Sequence, residues 1–295
     1  MEPEPRVSSL FVTDRKLRRR RIVNRAMEGL ATFAALIAVA VLVIVVASVV
    51  KNGWSALNLD FFTKTPAFFG QEGGGIANSI VGSVLLIAFA TLFSLPVGVL
   101  IAIYVSELAP RKVANVIRLA LDVMNGLPTI VTGIFIFSIL VISQGQSALA
   151  GAVALGIIAL PLVSRSTQEV LRLVPSSLRE AGLALGAPRW RTVLGVILPS
   201  SMGGILTGTT LAIARVAGET APLLFTTSLA AMAVTWDPTQ PVQSMPLTIF
   251  QYAESPDPAD HARAWATGIV LLAFVLILSL TSRFFLARSR RKLSR

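Results

Sequence analysis

The sequence predicts an all-α membrane protein with six transmembrane helices and both termini in the cytoplasm. Three observations carry the prediction. Hydrophobic residues make up 54% of the 295 positions and charged residues only 14%, the balance of an integral membrane protein rather than of a large soluble core. Six apolar stretches are long enough to cross roughly 30 Å of hydrocarbon as helices. The basic residues crowd into alternate connections between them, which gives the helices a consistent direction.

Residues 1–28 form a basic tail with Arg6, Arg15, Lys16, Arg18, Arg19, Arg20, Arg21 and Arg25. A signal peptide would have a short apolar region ending at a small-residue cleavage site, whereas 29–50 is a full-length span, so an uncleaved first helix is expected. The arginines then serve as an orientation signal and contact membrane lipid headgroups. Residues 29–74 hold this helix and an extracytoplasmic loop whose Trp54, Phe61, Phe62, Phe68 and Phe69 suit an interfacial aromatic belt.

A core of five more spans occupies 75–287. The second, 76–105, contains Pro96 and Gly98 and is expected to kink there. A short basic turn, 107–118, leads to the third, 117–142, broken near its start by Asn125-Gly126-Leu127-Pro128. The fourth covers 147–163, with Pro161 as a second candidate break, and a connecting loop occupies 165–192. The fifth runs 194–220. The apolar stretch 223–234 is too short to cross and should be re-entrant or interfacial. Residues 235–262 read as a polar loop with five prolines, 263–286 hold the sixth span, and 288–295 are a second basic tail.

Every Lys and Arg except Lys51, Lys64, Arg215, Arg263 and Arg283 falls in the tails, the 107–118 turn or the 165–192 loop, and Arg283 stands at the end of the sixth span next to the second tail. The opposite side carries Asp60, Glu72, Asp237, Glu254, Asp257 and Asp260. The positive-inside rule therefore puts both termini and the 165–192 loop in the cytoplasm. A net charge of +11 spread in this way belongs to membrane edges and does not call for nucleic acid.

The 165–192 loop is the most informative stretch. Ser177 and Glu180 read as a capping box that starts a helix at Leu178. Leu178, Ala181, Gly182 and Leu185 then make a narrow apolar stripe, Gly186 can take φ > 0 and end the helix, and Pro188 suits the first turn of the next. A short helix between two long apolar segments is an elbow at a membrane surface. Its small residues let another surface approach closely, and Glu180 and Arg189 offer charged anchors.

The spacing of Glu180, Ala181, Gly186, Val196, Leu198 and Pro199 resembles the EAA signature of inner-membrane permease subunits of ABC importers. Gly182 stands where a second Ala is usual, and Val196 where Ile is usual. Arg215-Val-Ala-Gly-Glu219-Thr-Ala-Pro-Leu223 is similar to the phosphate-specific, PstA-type branch. The resemblance covers about residues 75–287 and implies a type I ABC importer permease fold in a bacterial inner membrane. It implies as partners a second permease subunit of PstC type, two copies of an ABC ATPase subunit and an extracytoplasmic phosphate-binding protein. In that family the elbow docks in a cleft of the ATPase. By resemblance, coupling falls here on Glu180, Ala181, Gly182, Gly186, Arg189, Leu198 and Pro199. Permeases for sulfate, molybdate, phosphonate or methionine are the alternatives.

An arginine at mid-membrane costs about 2.5–3.5 kcal/mol on insertion scales, so Arg215 is not expected to face lipid. At i and i+4, Arg215 and Glu219 would share a helix face and neutralise each other, with the hydroxyls of Thr207, Thr210 and Thr220 nearby. An oxyanion stripped of water needs a cation or hydrogen-bond donors. Arg215, Glu219, Thr220 and Thr210 are therefore the expected substrate path; a fixed ion pair that only locks packing is the alternative.

The composition excludes other chemistry. There is no cysteine and one histidine, His261, so neither a metal site nor a cofactor is expected. No lysine follows a glycine, hence there is no P-loop, and ATP-driven work must come from a partner. An intramembrane hydrolase would need more than the single His261, which falls in an outer loop. A self-sufficient secondary transporter leaves the elbow unexplained. Asp122 is expected to pair with a nearby arginine.

Overall fold

The computed structural model describes residues 14–67 and 73–293. Arg6, Phe68, Phe69, Glu72 and Arg295 lie outside the described residues, as do the side chains of Arg15, Lys16, Arg283, Arg288, Arg290, Arg291 and Lys292. Two units divide the chain after Lys51. The first is carried by α1 (Asp14–Gly53), in which the basic run passes without a break into the expected apolar span.

The second unit runs α2 (Leu59–Thr63), α3 (Ala77–Leu108), α4 (Arg111–Gly126), α5 (Thr129–Gln144), α6 (Ala148–Arg172), α7 (Ser176–Ala184), α8 (Arg189–Val216), α9 (Leu223–Thr226), α10 (Met245–Ala253) and α11 (Pro258–Leu293). Five helices of the described chain are long and apolar enough to cross a membrane, or six if α4 and α5, joined at a sharp bend, are taken as one span.

α6 is the axis of this unit. α3 lies parallel to it, with Leu86 on Gly151, Ala90 on Gly156, Gly98 on Val163 and Ile103 on Leu171. α8 lies antiparallel on α6, with Gly204 on Val170, Gly208 on Ser166 and Val216 clustered with Ala159. The crossings are close because glycines sit at them: a Cβ on Gly98, Gly204 or Gly208 would lie 2.9, 2.5 or 2.7 Å from the facing side chain. Small residues do this in membranes, where burial of apolar surface gives no advantage over lipid and close contact must hold helices together. Ala148 marks one end of this ladder, Ala159 its middle and Leu171 the end nearest α7.

Several elements differ from the sequence expectation. The 107–118 turn is not a turn: Arg111–Gly126 is a full amphipathic helix, with Ala114 and Leu121 buried and Val116, Leu119 and Val123 exposed. The expected break at Pro128 is a 95° bend between α4 and α5. Pro128 pushes Leu127 into extended backbone (φ −69°, ψ 135°), which stops α4 at Gly126. Pro161, by contrast, does not break α6, which continues to Arg172, so residues 165–172 are helix and not loop. Packing of α6 on both sides outweighs the one hydrogen bond that a proline removes.

The proline-rich 235–262 stretch was expected to be loop, yet it contains α10 with Met245, Leu247 and Thr248 fully buried. Ser244 caps it through Leu247 N–H, and Pro246 sits in the first turn, where its missing N–H is not needed. Of the apolar 223–234, only the single turn of α9 is helical. The start of α3 is stitched to this region by buried polar groups. Asn78 Nδ2 donates to Ala231 O and Gln243 Oε1, Ser79 bonds Thr248 Oγ1 at 2.6 Å, and Met245 N–H donates to Ser83 Oγ.

Gly82 lies within this seam, and a Cβ there would sit 2.0 Å from the carbonyl oxygen of Gln243. Gly82→Ala is expected to destabilise the protein by about 1–3 kcal/mol, read as a lowered thermal midpoint in detergent. Gly156→Ala, whose Cβ would meet nothing closer than 3.5 Å, should leave the midpoint unchanged.

Candidate functional site

At two of the places singled out by the sequence, the elbow between α6 and α8 and the far end of α8, exposed charged groups form no ion pair among the described residues. At the elbow, α7 begins at Ser176 after an extended Pro175, two residues earlier than a capping box would start it. The Ser177–Glu180 box does not form, because proline fixes the entry and Ser177 already lies in the first turn. The other end is as the sequence predicts. Gly186 takes φ +77°, Ala187 N–H donates to Gly182 O and Gly186 N–H to Leu183 O, the paired bonds of a Schellman stop. Pro188 then precedes the first turn of α8.

The expected apolar stripe does not pack inward. Only Gly182 is buried; Leu178, Ala181 and Leu185 are exposed, Leu185 to 88%. Glu180 and Arg189 also project outward and form no ion pair among the described residues. Gly182 is buried because α7 rides directly on α8: a Cβ there would come 2.4 Å from Thr192 Cγ2. Leu198 joins the cluster of Ile103, Leu171, Val193 and Ile197, so the base of α8 is tied to α3 and α6. Residues 193–197 form a π turn just before Pro199, whose ring would crowd the carbonyl four residues back in a regular helix.

One residue at the elbow escaped the sequence reading. Arg179 turns inward from α7 and binds both oxygens of Glu107 through Nε (3.2 and 3.0 Å), with Nη2 2.7 Å from Oε1. It also donates to the carbonyls of Val174 and Leu171 at 2.7 and 2.8 Å. The hydrogen bonds to Glu107 raise its pKa further above the ordinary arginine value. Glu107 and Arg179 line a cleft of about 220 Å³ with Leu183, Arg189, Thr192, Val193 and Ile197. An arginine one residue before the motif glutamate, and a lone carboxylate at the end of α3, were the available signals.

At the far end of α8, Arg215 is exposed in the last turn and Val216 is buried at the middle level of the α3–α6 ladder. The helix stops there. Gly218 N–H bonds Arg215 O and Glu219 N–H bonds Val216 O, so Glu219 does not follow Arg215 around a regular turn. The expected Arg215–Glu219 pair is corrected: the two do not form an ion pair, since α8 ends between them. Glu219 and Thr220 are half-buried in the non-helical stretch beyond it. Thr207 and Thr210 hydroxyls bond carbonyls of their own helix. Beside Val216 a small cavity is lined by Ala90, Ser94, Ala159 and Ile213, and Ser94 Oγ is buried there without a hydrogen-bond partner among the described residues.

Asp122 does pair with an arginine, as expected: its partner is Arg165, which ties α4 to α6. Beneath it Arg118 reaches Gln168 and Val105 O. His261 meets Ser255 O in the loop before α11.

Residues 94–294 match the family described as binding-protein-dependent transport system inner membrane component. The chain is 40% identical over 273 residues to the phosphate transport system permease protein PstA of Yersinia pestis, covering 92% of each. It is 34% identical over 284 residues to PstA 1 of Mycobacterium tuberculosis, covering 93% of this chain and 92% of that protein. The chain belongs to the PstA family of inner-membrane permeases. Solved structures show the same fold. A chain of the MetNI methionine ABC transporter in an inward-facing conformation superposes with TM-score 0.56 at 19% identity, over 73% of this chain and 94% of that one. A bacterial ABC transporter involved in alginate import gives TM-score 0.60 at 13% identity, over 91% and 99%. The architecture is that of type I ABC importer permeases, and the protein is a multi-pass inner-membrane protein.

The tight Gly182–Thr192 contact accounts for glycine where the family motif usually has alanine. Gly182→Ala should lower the thermal midpoint by an amount corresponding to about 1–3 kcal/mol. The same change made together with Thr192→Ala should recover most of that loss, giving a coupling energy of about 0.5–3 kcal/mol in a double-mutant cycle.

Proposed function

We propose that this chain is the transmembrane permease subunit of an ATP-driven phosphate importer. The observation that carries the proposal is 40% identity, over nearly the whole of both chains, to a phosphate transport system permease. The chain forms the translocation path with a second permease subunit of PstC type. Two copies of an ABC ATPase subunit bind below, and an extracytoplasmic phosphate-binding protein delivers the solute. ATP hydrolysis belongs to the ATPase. Both termini and the elbow face the cytoplasm, supported by the basic residues gathered on that side.

The geometry supports a separate location for each half of the task. The elbow offers an exposed apolar face flanked by Glu180 and Arg189, which suits docking on the ATPase. Ala181 and Gly186 keep that face small and Gly182 seats α7 on α8, while Leu198 anchors the base of α8 behind it and Pro199 follows its π turn. Arg215 stands exposed where α8 stops halfway along the bundle. Non-helical backbone at membrane depth is tolerated only inside protein or along a water-filled cavity, and a charged side chain there avoids lipid. Arg215 thus faces the shared path, with no carboxylate paired to it among the described residues, and can bind a phosphate oxygen that has lost water. Glu219, Thr220 and Thr210 border the same place.

In vesicles containing the complete importer, Arg215→Gln should assemble and reduce labelled phosphate uptake about tenfold or more, the loss of a hydrogen bond to a charged group. Full-rate uptake by an assembled Arg215→Gln importer would refute the path assignment. Glu180→Arg should weaken recovery of the ATPase with the permease while leaving membrane insertion intact. Uptake of sulfate in preference to phosphate would overturn the substrate.

A further inference from the structure

We infer that the Arg179–Glu107 clamp is what makes α3 move with the elbow, so that Arg179 is the positioning residue for coupling on this side of the importer. The inference rests on the permease reading above. α7 has few holds on the rest of the chain. Most of its surface is exposed, and Gly182 and Arg179 are its principal inward contacts. A Cβ on Gly182 would meet Thr192 of α8, to which α7 is already joined through the Gly186 corner. A push on the elbow reaches α8 directly by that route. α3 packs on the base of α8 through Ile103, Val193 and Ile197, and its direct hold on α7 itself is Arg179.

The clamp is built for this. One planar guanidinium holds a carboxylate on α3 by both oxygens, and two carbonyls at the end of α6, so three elements meet on a single rigid group. The Glu107 side chain is only 8% exposed, so separation would leave a buried carboxylate unpaired. Glu107 lies in a π turn, Tyr104–Leu108, closed by Ala109 N–H on Tyr104 O at 2.7 Å. Such a turn carries one residue more than an α turn and re-aims the side chains within it. From there α3 runs, level by level along α6, up to Ala90 and Ser94 beside the end of α8. The clamp therefore connects the docking face to the wall beside Arg215.

The chain has no cysteine, so labels can be placed at will. Spin labels at Ser177→Cys on α7 and Leu100→Cys on α3, both exposed positions, are measured in the complete importer with and without ATP. In the otherwise wild-type chain their separation should stay constant while uptake proceeds. In Arg179→Lys, which keeps the charge but not the fork, and in Glu107→Gln, ATP should shift or broaden the distance. Solute taken up per ATP hydrolysed should then fall about fivefold or more, with ATPase recovery unchanged. A wild-type separation that changes with ATP would overturn the clamp, as would variants with unaltered uptake per ATP. Loss of ATPase binding in both variants would reduce Arg179 to part of the docking scaffold, which also refutes the inference. A wild-type importer that takes up no phosphate would sink the substrate assignment, and the label distance would still test the clamp.

Discussion

Close contact between backbones along α6 underlies everything else in this bundle. In lipid, helices gain little from hiding apolar side chains, so they associate through contact at short range and through the few polar bonds they can share. Gly98, Gly204 and Gly208 bring α3 and α8 against the same rod, and Asp122–Arg165 adds α4. With α6 gripped this way, Pro161 stays inside a continuous helix and Arg118 finds partners at its lower end. The ladder also sets levels, and the levels give the charged residues their meaning.

Two kinds of incompleteness are left on the isolated chain, and they differ in chemistry. The elbow exposes leucine, alanine and a lone glutamate on a helix stopped at both ends by backbone devices, Pro175 and Gly186. Arg215 is the opposite case, a strong charge with no carboxylate paired to it among the described residues, at the place where a helix runs out. A fixed ion pair would satisfy it, and under the proposed path would leave it unable to exchange for an anion. The chain holds its pairs elsewhere, at Asp122–Arg165 and Glu107–Arg179.

The sequence by itself determined the class of fold, most of the spans and where the elbow ends, because hydropathy, basic residues and punctuation by glycine and proline are local signals. Gly186 can take φ > 0 at no steric cost, and the Asn125-Gly126-Leu127-Pro128 run marks a break between two apolar stretches. The tertiary structure decided what depended on neighbours. Pro161 and Pro128 look alike in sequence; packing on α3 and α8 makes one harmless while the other becomes a 95° bend. α10 stayed hidden because five prolines outweighed one Ser244 cap in a local reading, although its burial on α3 is complete. Arg215 and Glu219 had pairing distance only on the assumption of an unbroken helix, and Arg179 had no visible partner because Glu107 is far away in the chain. Spacing along one helix can be read from a sequence. Which side chains meet across helices is set by the crossings, and these exist only once the bundle has packed.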